Sequence, residues 1–406
     1  MKTINKIFTL ITGASVFALT LISCGKKEET KTEEPKYHTI TIDEEYEEEE
    51  VSFANSEYIN PNDVELKEYD IHTKEQLAYL NSGINSINRF ASGNKELSKA
   101  RSFNLLTEEE PKEYDYYYIQ LSEDESFSKP ILYNAEANNI DVTNLKINTK
   151  YYYRGANEYK DLKNAEVFSF TTENSKLRNC NVDGITNVRD IGGYTSKLGG
   201  YVRQGLYYRG GRLNVSETNT LSIQVTDEGY RQLIEELNIN SEIDLRMNDT
   251  HYSGRYSNEF GQIDNDTFEN IEYLSHPLDW TVSNMMVSEK ERVGNIFKDL
   301  AKEENYPVYL HCNIGTDRTG MCTYLLGTLL GIPQDDLFHD YLFSNFANIN
   351  NTRDISKISN IYYKTLTSYE KDNLYLDVRA YLNDAGVSDE ELDNILNIFL
   401  ELRVYD

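Results

Sequence analysis

The segment PVYLHCNIGTDRTGMCTYLLGTLLG, residues 307–331, constrains the fold of this 406-residue chain more than any other. It begins with an apolar run that predicts a buried strand up to Cys312, and it ends with a second apolar run from Met321 that predicts a helix. Between them, HCNIGTDRTG at 311–320 holds a cysteine, two glycines, an aspartate and an arginine. The segment therefore predicts a strand, a tight loop and a helix N-terminus in direct succession.

The loop between strand and helix combines groups that bind an anion. Backbone N–H groups of such loops point at one spot, and the helix dipole adds to their positive potential. The same field favours a thiolate at Cys312 and predicts a pKa of about 5. Arg318 offers a planar fork that matches two phosphate oxygens, and Gly315 permits backbone conformations that a side chain excludes. A nucleophile, an anion cradle and a bidentate cation thus lie within seven residues.

The other cysteines do not repeat this pattern. A chance C-x5-R-T match is expected in about one of fifty chains with four cysteines. Cys322 falls inside the predicted helix and is interpreted as a packed core thiol, while Cys180 lies in a polar stretch and is given no role. The chain has no C-x-x-C pair and no nucleotide fingerprint, so we expect neither a metal nor a cofactor.

The first 24 residues predict an export signal. Lysines are followed by the apolar run FTLITGASVFALTLIS and then Cys24. The end of this run resembles a bacterial lipobox, which implies lipidation of Cys24 and a mature protein outside the cytoplasm, anchored to a bacterial membrane. A plain signal peptide or a short membrane helix is the alternative.

The formal net charge of −28 and the pI near 4.6 argue against nucleic acid as a partner. A phosphate-bearing substrate would need a locally positive pocket in so acidic a protein. Residues 25–55, which include DEEYEEEE, are too charged and too poor in apolar residues to bury a core, so they predict a disordered spacer.

A β-rich module is predicted for residues 56–174, although its first part is hard to assign. Short aromatic and β-branched runs, separated by polar turns, predict an antiparallel β-sandwich; they are YDYYYIQL, ILY, IDV, YYYRG and VFSFTT. The stretch Leu145–Tyr151 resembles the corner motif of fibronectin type III modules, with Ile147 where proline is usual. The resemblance implies that the Tyr151 hydroxyl bonds back to the backbone. We interpret the module as a spacer or as a binding module for a protein or glycan.

Residues 176–406 predict a second domain, in which helices alternate with strands. Thr226 is a candidate N-cap, Ser288 and Ser388 each begin a capping-box pattern, and IDLR at 243–246 predicts a short strand. The fold class that follows is α/β, with a central, largely parallel sheet flanked by helices.

Four stretches of this second domain resemble one family. HCNIGTDRTG is similar to the H-C-x5-R-[ST] loop of the protein tyrosine phosphatase superfamily, in the version of its bacterial tyrosine and lipid phosphatases. The other three stretches that resemble that branch are NVRDIGGY at 187–194, GLYYRGGRL at 205–213 and DYLFSN at 340–345. Lipid-active members commonly have lysine where this chain has Thr316, and its loss weakens the case for multiply phosphorylated inositol substrates.

The resemblance implies a role for each residue of the loop. Cys312 attacks phosphorus, Thr319 hydrogen-bonds the sulfur and His311 orients the loop. The implied phosphate-binding residues are Asn313, Ile314, Gly315, Thr316, Asp317 and Arg318. Two aspartates compete for the role of general acid, Asp317 in the loop and Asp279 in HPLDW, and we favour Asp317. Asp190, Asp244 and Arg246 are interpreted as structural.

The resemblance implies an enzyme, a cysteine-dependent phosphatase of phosphotyrosine proteins or small phosphomonoesters. An inositol-phosphate or phospholipid phosphatase is the alternative in chemistry. A catalytically silent surface-binding lipoprotein is the alternative of another class, and the intact Cys312, Arg318 and Thr319 argue against it.

Overall fold

The computed structural model describes residues 56–59, 68–107, 117–213, 221–247 and 271–401. The predicted signal peptide at 1–24, the lipidation site Cys24 and the predicted spacer at 25–55 lie outside these residues. No helix in the described part is long and apolar enough to cross a membrane.

The β-rich part contains two sheets that share one apolar core. Their strands are β1 Ser56–Ile59, β2 Glu68–Tyr69, β3 Ser102–Leu106, β4 Tyr117–Ser122, β5 Ile131–Ala135, β6 Asn139–Val142, β7 Lys150–Ala156 and β8 Phe168–Thr172. One sheet has the order β1-β3-β6 and the other the order β2-β8-β7-β4-β5. Phe103 of the first sheet and Tyr153 of the second lie in the common core. The strands that the sequence predicts here are confirmed, because alternate aromatic residues can fill the space between the sheets.

The predicted hydrogen bond of Tyr151 is also confirmed. The Tyr151 hydroxyl accepts the backbone N–H of Lys146 at 2.7 Å. Ile147 is fully buried in the core, and its backbone is bound on both sides by the amide of Gln204, which belongs to the C-terminal region. This corner therefore joins the β-rich part to the α/β part.

The segment between β2 and β3 is helical and packs away from the β-rich core. Its helices are α1 at Lys74–Leu80 and a 3-10 helix at Ile84–Arg89. Tyr79 and Ile87 lie in the large core of the C-terminal region, against the helix Gln334–Phe343. The sequence predicts that the whole of 56–174 belongs to the β-rich module, whereas Tyr79 and Ile87 lie in the core of the C-terminal region. A short helix needs an apolar surface to cover it, and here the second domain provides that surface.

The central sheet of the α/β part is mixed. Its strands are β9 Arg178–Asn179, β10 Arg189–Asp190, β12 Tyr207–Gly210, β13 Ser241–Asp244, β14 Glu272–Ser275 and β15 Val308–His311. Their order is β14-β13-β15-β12-β10-β9. The first four are parallel, but β10 is antiparallel to both of its neighbours. The predicted largely parallel sheet is corrected here: the connection from β9 to β10, residues 180–188, is too short for a crossover, and the connection from β10 to β12 contains no helix but the strand at Tyr201–Val202.

Helices pack around this sheet, and a further pair joins β11 at Tyr201–Val202 to β16 at Leu400–Glu401. The helices are α2 Asp227–Arg231, α3 Met285–Ser288, α4 Lys290–Leu300, α5 Asp317–Leu329, α6 Gln334–Phe343, α7 Lys364–Thr367, α8 Leu374–Asp384 and α9 Asp389–Phe399. Helix α5 is buried along its whole length, which explains why its sequence is apolar on every face.

The predicted helix caps can be checked directly. Thr226 caps α2, and Ser388 forms a full capping box with Glu391 at the start of α9, so both predictions are confirmed. The capping box predicted for Ser288 is absent from the structure, and that prediction is wrong. Ser288 is the last residue of α3, which begins one turn earlier because the Asn284 side chain accepts the N–H of Met286.

Candidate active site

Strand β15 carries Cys312 to the middle of the sheet edge. It lies between β13 and β12, parallel to both, and ends at His311. Helix α5 begins at Asp317, so the predicted strand, loop and helix are confirmed. Ligands of open α/β sheets bind where the carboxyl ends of parallel strands meet, which is the position of this loop. We call residues 312–318 the anion loop.

Three consecutive carbonyl groups of the anion loop accept hydrogen bonds from residues outside it. The pairs are Arg212 N–H to Asn313 O at 3.2 Å, Asn187 Nδ2 to Ile314 O at 3.1 Å and Arg209 Nη2 to Gly315 O at 2.7 Å. The C=O and N–H of one peptide plane point in opposite directions. Carbonyls that are turned outward therefore turn the next N–H groups towards the middle of the loop, where an anion would bind.

Gly315 is required for this path of the backbone. Its φ is +70°, and a Cβ atom built on it would lie 2.4 Å from the carbonyl oxygen of Gly210 at the end of β12. Both the left-handed conformation and the close approach exclude a side chain. The glycine that the sequence analysis singled out is thus essential to the loop geometry.

Arg318 is held under the sheet edge by two carbonyl groups. Its Nη1 donates to Leu245 O at 2.9 Å and to Leu278 O at 3.4 Å. The residue is 7% exposed, and among the described residues both of its hydrogen bonds use Nη1. Nε and Nη2 therefore form the edge that can receive two oxygens of a bound anion.

Cys312 lies at the bottom of the site, 3% exposed. Burial by itself would raise the pKa of the Cys312 thiol, but the Arg318 charge and the hydrogen-bonding groups of Thr319 outweigh it and lower this pKa to about 7. Thr319 Oγ1 is buried and has no oxygen or nitrogen partner in the described part of the chain, which leaves it for the sulfur. The direction of the predicted pKa shift is right, whereas the predicted value of about 5 is too low because the site is so strongly desolvated.

The two other cysteines of the described chain have the opposite character. Cys180, Cys312 and Cys322 are all buried free thiols. Burial raises the pKa of both Cys180 and Cys322 to about 12. Cys322 packs in the core as predicted, and Cys180, which lies in a polar stretch of the sequence, is buried in an apolar cluster with Val182 and Val188.

His311 links the anion loop to the neighbouring strand. Its Nδ1 lies 3.1 Å from the carbonyl oxygen of Cys312, and its Nε2 lies 2.8 Å from Glu242 Oε1. Asp244, two residues after Glu242 on β13, accepts a hydrogen bond from Arg246 Nη2 at its Oδ2, at 2.7 Å. Glu242, Asp244 and His311 could supply three metal-ligand atoms within 4.8 Å of one another. Since Arg246 already pairs with Asp244 and His311 already pairs with Glu242, we assign no metal to them.

Asp340 joins the three stretches that surround the anion loop. Its carboxylate accepts Arg189 Nε at 2.9 Å and also pairs with Arg209 Nη1. Arg209 in turn binds the carbonyl of Gly315. Burial opposes the charge on Asp340, but the two arginines hold the pKa of its carboxyl below the usual range. NVRDIGGY, GLYYRGGRL and DYLFSN thus meet beneath the loop as a single ion-pair network.

Asp317, the favoured acid, is held by cations from the segment after α6. Arg353 Nη2 lies 3.0 Å from one carboxylate oxygen and Lys357 Nζ lies 3.1 Å from the other. Tyr341 adds a longer hydrogen bond of 3.4 Å. Although burial opposes it, Arg353 and Lys357 lower the pKa of Asp317 in the free protein.

Asp279 lies on the other side of Arg318. Its carboxylate accepts the N–H and hydroxyl of Thr281 at 2.8 Å and 2.7 Å, and these bonds lower its pKa. The neighbouring Leu278 carbonyl contacts Arg318. Asp317 is the neighbour of Arg318 in the chain, and the charge of Arg318 contributes to the lowered pKa of Asp279.

Sequence reasoning identified the anion loop but not its supports. Arg209 contacts the Gly315 carbonyl, Arg353 and Lys357 contact Asp317, and Arg189 supports the loop indirectly through Asn187 and Asp340; none of the four was selected as a site residue. Asp190, in the NVRD motif, pairs with Arg178 at 2.7 Å, so its structural interpretation agrees with its contacts. No local pattern could reveal these partners, since Arg353 lies 36 residues from Asp317 and Arg209 lies 106 residues from Gly315.

Comparisons with known proteins agree with this geometry. The family model described as "Tyrosine phosphatase family" matches residues 180–401. A Cupriavidus necator protein named as a proposed tyrosine-protein phosphatase is 25% identical over 248 residues, which cover 55% of this chain and 84% of that protein.

Two solved proteins are also similar at low identity. The first is TpbA of Pseudomonas aeruginosa, at 12% identity and a TM-score of 0.27, covering 54% of this chain and 94% of TpbA. The second is the core catalytic domain of the PP-IP phosphatase SIW14 of S. cerevisiae in complex with citrate, at 18% identity and a TM-score of 0.27, covering 40% and 87% of the two chains.

Proposed function

The chain belongs to the tyrosine phosphatase family, and on this basis we propose that it removes phosphate from phosphotyrosine in proteins through a cysteinyl-phosphate on Cys312. The family assignment makes the protein a phosphatase, a hydrolase of phosphate esters. One observation above all supports the proposed nucleophile. The buried Cys312 sulfur has a pKa lowered to about 7, beside Arg318 and below a loop whose carbonyls are turned outward.

In the first step the Cys312 thiolate attacks phosphorus. The S–P bond forms while the P–O bond to the leaving group breaks, and the leaving oxygen takes a proton. Arg318 Nε and Nη2 and the loop N–H groups from Asn313 to Arg318 stabilise the negative charge on the three other phosphate oxygens. Since these donors are fixed before the substrate arrives, little reorganisation is needed at the transition state.

Asp317 remains the proposed proton donor. It lies in the anion loop itself, and the negative charge of an arriving phosphate would raise its pKa from the lowered value of the free protein. Before the substrate arrives, Arg353 and Lys357 hold the Asp317 carboxylate in place by two ion pairs. In the second step the deprotonated Asp317 takes a proton from water as that water attacks phosphorus, the S–P bond breaks and the thiolate is restored, with Thr319 stabilising the departing sulfur.

The direct test uses the purified chain and Cys312→Ser. We expect the wild type to hydrolyse phosphotyrosine peptides and small aryl phosphates, and Cys312→Ser to lose turnover while still binding them. Cys322→Ser is the matched control, since that thiol is buried and protonated. Equal turnover by wild type and Cys312→Ser would remove the cysteine mechanism.

The alternative of a lipid or inositol-phosphate substrate is tested in the same assay. Thr316, which stands where lipid-active relatives commonly have lysine, is fully buried and turned into the loop. It adds no charge for a second phosphate. Phosphoinositides should therefore be poorer substrates than phosphotyrosine peptides, and the opposite ranking would move the assignment to a lipid phosphatase.

We also propose that the mature protein is anchored through Cys24 and acts outside the cytoplasm, with the fibronectin type III-like β-rich part as a spacer or binding module. The lipobox-like end of the export signal supports this proposal. Cys24→Ala should shift the protein from the membrane fraction to the soluble fraction without changing the activity per molecule. Unchanged fractionation would argue against lipidation.

A further inference from the structure

We propose that Glu96 is a positioning residue for the anion loop, although it lies outside residues 180–401, which the family model matches. Glu96 belongs to the segment between β2 and β3, after the 3-10 helix at Ile84–Arg89. Its role rests on the proposed function and deepens it, because a segment that precedes the family domain then contributes to the geometry of the site.

The backbone that carries Glu96 is bound to the end of the DYLFSN stretch. Gly93 N–H donates to Asn345 O at 2.8 Å, and Leu97 N–H donates to Phe346 O at 2.6 Å. One of these bonds lies before Glu96 and the other directly after it. The carboxylate is therefore presented from a fixed support.

Both oxygens of the Glu96 carboxylate accept hydrogen bonds. Oε1 accepts the hydroxyl of Ser98, and Oε2 accepts the hydroxyl of Thr186 as well as the N–H of Asn348 at 3.4 Å. Ser98 and Thr186 are both buried, so their hydroxyl hydrogens need an acceptor inside the protein. A carboxylate is the strongest acceptor available to them. One side chain thus sets the orientation of two buried hydroxyl groups.

Ser98 carries this constraint to Asn187. Because the Ser98 hydroxyl hydrogen goes to Glu96, its oxygen is free to accept the N–H of Asn187, at 3.3 Å. Asn187 has a φ of +66°, in the left-handed region that residues with a side chain rarely adopt. On the other side, the Thr186 carbonyl accepts the N–H of Gly211 at 3.0 Å. The backbone at 186–187 is therefore held in this conformation from two directions.

The Asn187 side chain makes the final contact with the anion loop. Its Oδ1 accepts Arg189 Nη1, which fixes the end of the amide that faces the loop. Its Nδ2 donates to Ile314 O at 3.1 Å and lies 3.4 Å from Thr316 Oγ1. The outward carbonyl of Ile314 turns the next N–H towards the bound phosphate. Glu96 thus acts on that N–H through Ser98 and Asn187.

Removal of the carboxylate should disturb the loop without touching the reacting groups. In Glu96→Ala the hydroxyls of Ser98 and Thr186 lose their acceptor, so the support of Asn187 is weakened. A group misplaced by 1 Å can cost about 100-fold in rate, and since this effect is indirect we expect kcat/KM for a phosphotyrosine peptide to fall by about 10-fold. Glu96→Gln keeps one acceptor oxygen and should lose less. The inhibition constant of inorganic phosphate should rise in the same order, because that ion uses the same loop.

A double-mutant cycle tests whether Glu96 acts through Asn187. Residues that act along one route are not additive, whereas independent residues are. We expect Glu96→Ala to change kcat/KM by less than about 2-fold in an Asn187→Ala background. Ser98→Ala should reproduce the loss seen in Glu96→Ala, and the two together should lose no more than either alone. A merely structural contribution of Glu96 would lower kcat/KM equally in both backgrounds.

Glu75→Ala is the matched control. Glu75 is a glutamate of the same segment, in the first turn of α1, and it makes no hydrogen bond or ion pair with any other described residue. It should leave kcat/KM unchanged. The alkylation midpoint of Cys312 should stay near pH 7 in Glu96→Ala, because Arg318 and Thr319 set that pKa. Every variant is assayed without denaturant, after its unfolding curve has shown that it is folded.

The outcomes distinguish this role from the proposed function. An unchanged kcat/KM in Glu96→Ala, or an equal loss with and without Asn187→Ala, would overturn the positioning role even if the wild type hydrolyses phosphotyrosine. A wild type without turnover would instead refute the proposed function.

Discussion

At the scale of single residues, Cys312 shows how opposing effects set one pKa. Desolvation of a fully buried thiol favours its neutral form, as Cys180 and Cys322 demonstrate with pKa values near 12. Cys312 is just as deeply buried, yet Arg318 and Thr319 bring its pKa to about 7. The Arg318 charge together with the hydrogen-bonding groups of Thr319, and not exposure, separates the reactive thiol from the inert ones.

Alkylation should reveal this difference. Because the pKa of Cys312 is lowered, its thiolate fraction rises as the pH rises through about 7 and falls below it. We expect the rate of modification by iodoacetate to follow a titration curve with a midpoint near pH 7. Peptide mapping should find the label on Cys312, while Cys180 and Cys322 stay unmodified at pH 7. A midpoint near the ordinary thiol value would show that Arg318 does not act on the sulfur.

The two candidate acids can be separated by the leaving group. Loss of a general acid costs about 10²–10⁴ in rate when the leaving group is basic, and much less when it is acidic. We expect Asp317→Asn to lower kcat strongly for phosphotyrosine but weakly for an activated aryl phosphate. Asp279→Asn is the matched variant and should have the smaller effect. The reverse order would transfer the acid role to Asp279.

At the scale of elements, the anion loop depends on the end of β12. Gly210 and Gly211 leave room for Gly315, and Arg209 and Arg212 of the same stretch bind two carbonyls of the loop. The strand thus supplies both the space and the donors that turn the loop peptides. The function of GLYYRGGRL lies in this support rather than in contact with a substrate.

Gly315→Ala tests the support. The positive φ alone should cost about 1–3 kcal/mol of folding stability, and the new Cβ would also meet Gly210 O at 2.4 Å. We expect a displaced loop and a fall in kcat/KM of about 100-fold. Gly199→Ala is the control, since Gly199 has a φ of +111° but no atom within 4 Å of its Cβ position. Equal loss of stability and full activity in both variants would refute the close-approach argument.

At the scale of the whole molecule, charge and packing are distributed unevenly. The chain carries a net charge of −28, yet Arg178, Arg189, Arg209 and Arg212 are fully buried. Arg209 and Arg212 bind the anion loop and Arg318 belongs to it, so cationic groups gather around the loop, where Asp340 pairs with Arg209. The helical segment at 74–89 closes the core behind this region through α6.

Tyr79→Ala measures how much the phosphatase domain depends on that segment. Tyr79 is fully buried, beside His339 of α6 and Phe346. Its truncation should lower the free energy of unfolding by about 3–5 kcal/mol, as for other large aromatic core residues. Unfolding in denaturant, monitored by the loss of phosphatase activity, measures this change in the free energy of unfolding. Tyr159→Ala, at a site that is 59% exposed, should change stability by no more than about 0.5 kcal/mol.

The sequence alone was sufficient for the local chemistry. Short aromatic and β-branched runs between polar turns predicted the strands of the β-rich part, and the run from Pro307 to Gly331 predicted the strand, loop and helix around Cys312. Capping patterns at Thr226 and Ser388 were also right. These features depend on neighbours a few residues apart, so the signal lies within one stretch of chain.

Only the tertiary structure decided what surrounds the anion loop. Asp340 meets Arg189 across 151 residues, and Arg353 meets Asp317 across 36. The edge strand β10 runs antiparallel, and the segment at 74–89 joins the second core instead of the first. Each of these depends on which distant surfaces can bury apolar area or pair charges, and no local pattern contains that information. The chemistry of the anion loop is therefore encoded locally, while its shape and the pKa of Cys312 depend on the whole fold.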